Sequence, residues 1–228
     1  MFERLELLIG KDALDKISKV NILLVGVGGV GGTCLEALVR SGVQNITIID
    51  GDDFQVSNLN RQILATKDDI DKPKVEVAIK RMLRINDKLN IHGKKIYLNE
   101  ENINTLGNFD FIIDACDDVK AKLGLIKYAE ENNIHIISSM GTGKRLNPSN
   151  VIITRLDKTS NDPLAKKMRY EARKLGLNLK VPVVCSKEDP ISKDRIVASS
   201  IFVPSTAGLT IAHYIIEKVI NSWLLFCY

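Results

Sequence analysis

Apolar positions along the chain follow two alternating rhythms. Nearly continuous apolar runs at residues 21–26, 45–50, 109–114 and 134–139 read as buried strands, and residues 91–98 add a strand of alternating character. Between these runs, apolar residues recur at helical spacing over 12–20, 29–41, 73–86 and 119–132. The helix at 73–86 is the best marked. Pro73 stands in its first turn, where a missing N–H does no harm, and Val75, Ile79, Met82 and Leu83 share one face. Strands that are apolar on both faces and separated by helices predict an α/β protein with a mostly parallel sheet and helices on both faces. After Met140 the rhythm changes. Residues 151–155 and 181–185 read as strands of a mixed or antiparallel C-terminal extension around a helix at 163–175, and a closing helix runs from 206 to about 224.

The first strand runs into Gly26, Gly28, Gly29 and Gly31, and the second ends in Asp50. Glycines at GxGxxG spacing between a strand and a helix make a Rossmann-like phosphate loop. They permit the tight turn, the close approach of backbone to phosphate and the packing of helix on sheet. The helix N-terminus adds free N–H groups and a positive dipole end. A downstream acid completes the fingerprint, which suits NAD, FAD or ATP. The segment after Asp50 separates these. It holds Ser57-Asn58-Leu59-Asn60-Arg61-Gln62, and then Lys72-Pro73-Lys74. A nicotinamide enzyme has no use for such a cluster, whereas a triphosphate cleaved next to its α-phosphorus does. Arg61 can fork onto phosphate oxygens, and Lys74 at a helix start adds a second cation. Asp117, just beyond the strand at 109–114, is placed to hold Mg²⁺ together with phosphate oxygens. The competing role for Asp117 is the N-cap of helix 119–132, which Asp118 fills equally well. Asp52 and Asp53 read as turn acids. With no repeat and no linker, residues 1–228 are expected to be a single domain, with a nucleotide-binding half at 20–139 and a substrate-side extension at 140–228.

These motifs, together with Asp114-Ala115-Cys116-Asp117, resemble the adenylation domain of the ubiquitin-activating-enzyme superfamily, relatives of the thiamine and molybdopterin sulfur-carrier adenylyltransferases. The resemblance implies that Asp50 binds ribose hydroxyls, that Asn58, Arg61 and Lys74 contact the phosphates, that Gln62 belongs to the cofactor site, and that Asp117 coordinates Mg²⁺. It also implies a homodimer in which Arg4 reaches the partner's ATP. Further motifs narrow it: residues 2–10, 138–143, 162–169, 186–190 and 202–208 are similar to those of the tRNA threonylcarbamoyladenosine dehydratases. Two departures, a short stretch between Pro190 and Ser199 and the Ser199-Ser200 pair, bear on substrate entry. The activity implied by this resemblance is ATP-dependent cyclisation of threonylcarbamoyladenosine in tRNA through a carboxyl-adenylate. The alternatives are an adenylyltransferase for the C-terminus of a ubiquitin-like sulfur carrier, and a non-catalytic nucleotide-sensing scaffold.

Composition adds less. A formal net charge of +4 points only weakly to a polyanion partner. Lys166, Lys167, Arg169, Arg173 and Lys174 on one helix, with Lys144 and Arg145 in the loop after Gly143, form a candidate tRNA surface. Cys34, Cys116, Cys185 and Cys227 are far apart with no CxxC pair, which suits a reducing cytoplasm, and Cys116 and Cys185 read as packing residues. Residues 1–10 show no cleavable leader pattern. The apolar end, 223–228, is expected to close the core or a dimer seam, with peripheral membrane contact as the lesser option. A monovalent ion or a sulfur-transfer partner protein stays open.

Overall fold

The computed structural model describes residues 1–192 and 197–221. Two short helices, α1 (Glu3–Ile9) and α2 (Lys11–Lys19), lead into β1 (Asn21–Val25), α3 (Gly29–Arg40) and β2 (Asn45–Ile49). Then come α4 (Lys74–Ile85), β3 (Asn90–Lys94), α5 (Glu100–Ile103), β4 (Phe111–Asp114), α6 (Val119–Glu131) and β5 (His135–Ser139). The second half contributes β6 (Val151–Arg155), α7 (Pro163–Lys174), β7 (Pro182–Ser186) and α8 (Phe202–Asn221). One seven-stranded sheet runs in the order β3-β2-β1-β4-β5-β7-β6. All its pairings are parallel except β6 with β7, which is antiparallel, as expected for the C-terminal extension.

Burial explains why the strands lack alternation. In β1, Ile22 and Leu24 join the large core under α2, α3, α4 and α8, while Leu23 and Val25 join the core under α5 and α6. Successive side chains point to opposite faces, so a sheet covered on both sides demands apolar residues at every position. A smaller core forms between α6, α7 and β7 around Met168, Ala172 and Val183.

Chain order starts at β1, moves outward to β2 and β3, and returns to β4 on the other side of β1. The carboxyl ends of β1 and β4 therefore flank a topological switch point, where open α/β sheets bind ligands. Here the Ala115 N–H donates to the Val25 carbonyl at 2.8 Å, and the glycine loop begins.

Two boundaries differ from expectation in ways that bear on the site, and one helix is unexpected. β3 ends at Lys94 rather than continuing to residue 98, because Ile96 N–H bonds back to the Lys94 carbonyl at 3.1 Å and the chain turns toward Gly51. α8 starts at Phe202, four residues ahead of the expected start at 206, with Pro204 accommodated in its first turn. α1 carries no amphipathic signature. It buries no residue and leaves Leu7 89% and Leu8 80% exposed. The expectation for 223–228 falls outside the described residues.

Candidate active site

The glycines do different jobs. Gly26 has φ +87°, and a Cβ there would lie 2.7 Å from the Ala115 carbonyl oxygen, so this is the tight turn of the switch point. A Cβ on Gly31 would lie 1.8 Å from the Gly26 carbonyl oxygen, so the first turn of α3 can pack on the loop only without a side chain. A Cβ on Gly28 would lie 3.6 Å from the Gln62 amide nitrogen, so Gln62 packs beside the loop at this glycine. Gly29 opens α3, and a Cβ there would meet Arg61 Cγ at 3.8 Å, which puts the arginine stem over the helix N-terminus.

Asp50 closes the floor of the loop. Its Oδ2 accepts from the Val27 N–H at 2.8 Å and its Oδ1 from the Asp52 N–H at 2.9 Å. Burial pushes this carboxyl above the ordinary aspartate range, against the opposing pull of Lys74. Lys74 is 6% exposed at the first position of α4, and its Nζ lies 2.7 Å from Asp52 Oδ2. The Tyr97 hydroxyl donates to the other oxygen, Asp52 Oδ1, at 2.7 Å. Burial alone would raise Asp52, but the bonds from Lys74 and Tyr97 outweigh it and hold the carboxyl below its usual range. Asp52 is thus the partner of the site lysine, a role its reading as a turn acid missed. Asp53 instead pairs with Lys95 at 2.7 Å.

Arg61 lies on the loop that follows a short 3-10 turn, Val56–Asn58. Asn58 is buried, and its Oδ1 accepts from the Gln55 N–H at 3.0 Å, so its side chain shapes the turn. Gln62 is buried too, and among the described residues its Oε1 has no hydrogen-bond partner. A buried amide oxygen without a donor costs about 1–3 kcal/mol and marks a group that a ligand can satisfy. Asp118, not Asp117, caps α6, accepting from the Ala121 N–H at 2.8 Å. Asp117 stands exposed, and among the described residues no side chain meets its carboxylate. Arg4 is exposed on α1, which packs against α2.

Beneath the switch point Asp114, the first residue of the Asp114-Ala115-Cys116-Asp117 motif, has a buried partner that the sequence pattern does not announce. Lys122 and Asp114 are both fully buried and pair at 3.0 Å. Lys122 also donates to Ser138 Oγ at 3.3 Å and to the Ser139 carbonyl at 2.6 Å, while Ser138 Oγ donates to Asp114. The thiol of Cys116 donates to Asp114 Oδ1 at 3.1 Å. Burial raises that thiol far above its ordinary range, with the Asp114 charge adding to it, so Cys116 packs rather than attacks.

One expected tRNA-facing cation is corrected. Arg145 is 4% exposed, and its guanidinium donates to four backbone carbonyls, those of Glu188, Gly141, Gly143 and Asn161, at 2.7–3.1 Å. It is a loop anchor. Arg169 is also engaged, donating to the Thr159 carbonyl at 3.0 Å, whereas Lys166, Lys167, Arg173 and Lys174 stay exposed on α7.

A glycine loop at a switch point, two cations and free polar groups over a helix N-terminus define a nucleotide-binding α/β protein built for a polyphosphate. The chain belongs to the ThiF family, whose model matches residues 2–186. It is 34% identical over 240 residues to a tRNA threonylcarbamoyladenosine dehydratase of Bacillus subtilis, covering 96% of this chain and 94% of that one. A solved structure of the Escherichia coli tRNA N6-threonylcarbamoyladenosine dehydratase in complex with ATP superposes with a TM-score of 0.92 at 31% identity, covering 98% of this chain and 95% of that one. The likeness to a Thermus thermophilus sulfur carrier protein adenylyltransferase, 32% over 111 residues, covers 48% of this chain and 41% of that one.

Proposed function

We propose that this chain is an ATP-dependent enzyme that cyclises threonylcarbamoyladenosine in tRNA. The observation that carries the reading is length. The likeness to the dehydratases runs through both halves of the chain, 96% of it, whereas that to the carrier adenylyltransferase stops at 48%. The relative solved with ATP and the polyphosphate-like set at the switch point support ATP as the nucleotide.

In this reading residues 20–139 are the nucleotide-binding half of a single domain and 140–228 the substrate side. The backbone of Gly26, Gly28, Gly29 and Gly31 cradles the phosphates, Asp50 takes the ribose, Asn58, Arg61 and Lys74 serve the phosphate oxygens, and Gln62 offers its free amide oxygen to a donor on the nucleotide. The substrate carboxylate attacks the α-phosphorus and pyrophosphate leaves. The neighbouring carbamoyl group of the same nucleoside then attacks the activated carbonyl, closing a ring and expelling AMP. An intramolecular nucleophile has an effective molarity on the order of 10⁵–10⁸ M when well oriented, so no protein thiol is required. Arg61 and Lys74 stabilise the charge that develops on the phosphates.

Among the described residues no three His, Cys, Asp or Glu side chains gather into a metal cage. The free carboxylate of Asp117 instead fits Mg²⁺ of the kind held by one acid and the substrate phosphates, where the ion supplies charge neutralisation. A homodimer with Arg4 acting in trans is supported by α1, which exposes Leu7 and Leu8 and buries nothing within its own chain. The exposed cations of α7 suit tRNA phosphates. A cytoplasmic setting agrees with a tRNA substrate, and no helix among the described residues is long and apolar enough to cross a membrane.

The test is ATP–pyrophosphate exchange with purified protein, offered either threonylcarbamoyladenosine-containing tRNA or a ubiquitin-like carrier. Exchange that depends on the tRNA is the expected result. Exchange with the carrier alone would replace this reading with the adenylyltransferase one.

A further inference from the structure

The Arg61 guanidinium is held from one edge only. Its Nη1 donates to the Ser57 carbonyl at 2.8 Å and to Asn60 Oδ1 at 3.1 Å, which engages both hydrogens of that nitrogen. The opposite edge, Nε and Nη2, meets no partner among the described residues, and the stem crosses Gly29 at the start of α3. Two bonds to Nη1 fix the plane of the group and leave a two-nitrogen fork free at a helix N-terminus, the geometry a phosphate takes.

Asn60 is itself held. Its Nδ2 donates to the Ser199 carbonyl at 2.9 Å, 139 residues away in sequence. A guanidinium only donates and a backbone carbonyl only accepts, so the residue between them needs one acceptor and one donor on a short stem. A side-chain amide has both, and its orientation is set by the two partners. Ser199 belongs to the segment that leads into α8, and the next carbonyl back, Ala198, accepts from the Lys144 N–H at 2.7 Å. Residues 198 and 199 thus bridge the loop after β5, on the substrate side, to the loop that carries Arg61.

We infer that Asn60 is a positioning residue. It sets the plane of the Arg61 fork and ties that plane to the substrate-side segment through Ser199. The inference rests on the reading of Arg61 as a phosphate ligand and adds a residue that acts only through it.

A double-mutant cycle in the tRNA-dependent ATP–pyrophosphate exchange assay tests this. Asn60→Ala lowers exchange about tenfold, the scale of one charge-assisted hydrogen bond. In an Arg61→Lys background the same change has an effect within about twofold, because an ammonium has no planar edge to orient. Asn60→Ser is run through the same cycle, so the test does not rest on the folding of one variant. A tenfold loss that persists undiminished in the Lys background would show that Asn60 supports the fold rather than the arginine and would overturn the inference, as would wild-type exchange by Asn60→Ala. If Arg61→Lys itself leaves exchange unchanged, it is the phosphate assignment of Arg61 that fails, and the inference falls with it.

Discussion

Two lysine–aspartate pairs, one at the rim of the switch point and one beneath it, show how the same chemistry serves opposite ends. Lys74 and Asp52 meet at 2.7 Å with the Asp52 side chain 51% exposed, so water shares the carboxylate and a phosphate can compete for the ammonium. Lys122 and Asp114 meet at 3.0 Å with both side chains at 0% exposure, and the surrounding serines and backbone carbonyl complete their hydrogen bonding. In the function proposed above, the rim pair holds a cation in readiness for a phosphate. The buried pair joins β4 to α6 and the end of β5, keeping rigid the strand ends from which Cys116 and Asp117 emerge. The difference between the pairs lies in the exposure of the acid, not in residue type.

The largest expected effect lies with the buried pair. Lys122→Met leaves Asp114 charged without a counter-ion in the core and lowers the unfolding free energy by about 3–5 kcal/mol in urea titration. Lys74→Met at the rim costs less, about 1–2 kcal/mol, because the half-exposed Asp52 carboxylate it leaves behind is rehydrated by solvent. Equal losses at the two sites would erase the distinction. For activity the order reverses within the rim: Arg61→Ala lowers exchange by about 10²–10³-fold, the scale of removing a donor aimed at developing charge. Lys74→Met lowers it roughly 10–100-fold, the scale of one hydrogen bond to a charged group.

A smaller effect concerns proton binding. Burial raises Asp50 above the ordinary aspartate range, so the folded chain holds this proton more tightly than the unfolded one. Its contribution to stability is therefore full below the unfolded value and is lost as pH rises through the folded one. Asp52 has the opposite sign: its lowered value contributes stability above the unfolded pKa that is lost as pH falls through the folded one. Because Lys74 pulls both carboxyls down, Lys74→Met shifts both upward, which carboxyl carbon titration by NMR reads directly. An unmoved Asp52 would mean that Tyr97 alone holds it.

The glycine loop, the parallel core and the cluster from Asn58 to Lys74 are legible in the sequence because each obeys a short-range rule. Strand runs, helical spacing and glycine spacing all act within a few residues. The Lys122–Asp114 pair is not legible, since an acid at the end of one strand and a lysine in the following helix read as separate solvated charges until α6 packs on β4 and β5 and excludes water. Arg145 reads as a surface cation for a related reason. Its carbonyl partners come from residues 141, 143, 161 and 188, and nothing local announces that they converge. Asp52 needs Tyr97, which reaches it only because β3 ends early. Helix α1 leaves no trace in the pattern because it lacks a buried face to impose a period.

The most direct measurement tracks the nucleoside itself. tRNA carrying threonylcarbamoyladenosine is incubated with the protein and ATP, then digested and weighed by mass spectrometry while AMP is counted. The expected result is a nucleoside lighter by one water, formed one for one with AMP and slowed about 10²–10³-fold in Arg61→Ala. An unchanged nucleoside alongside AMP formed only when a carrier protein is added would contradict it.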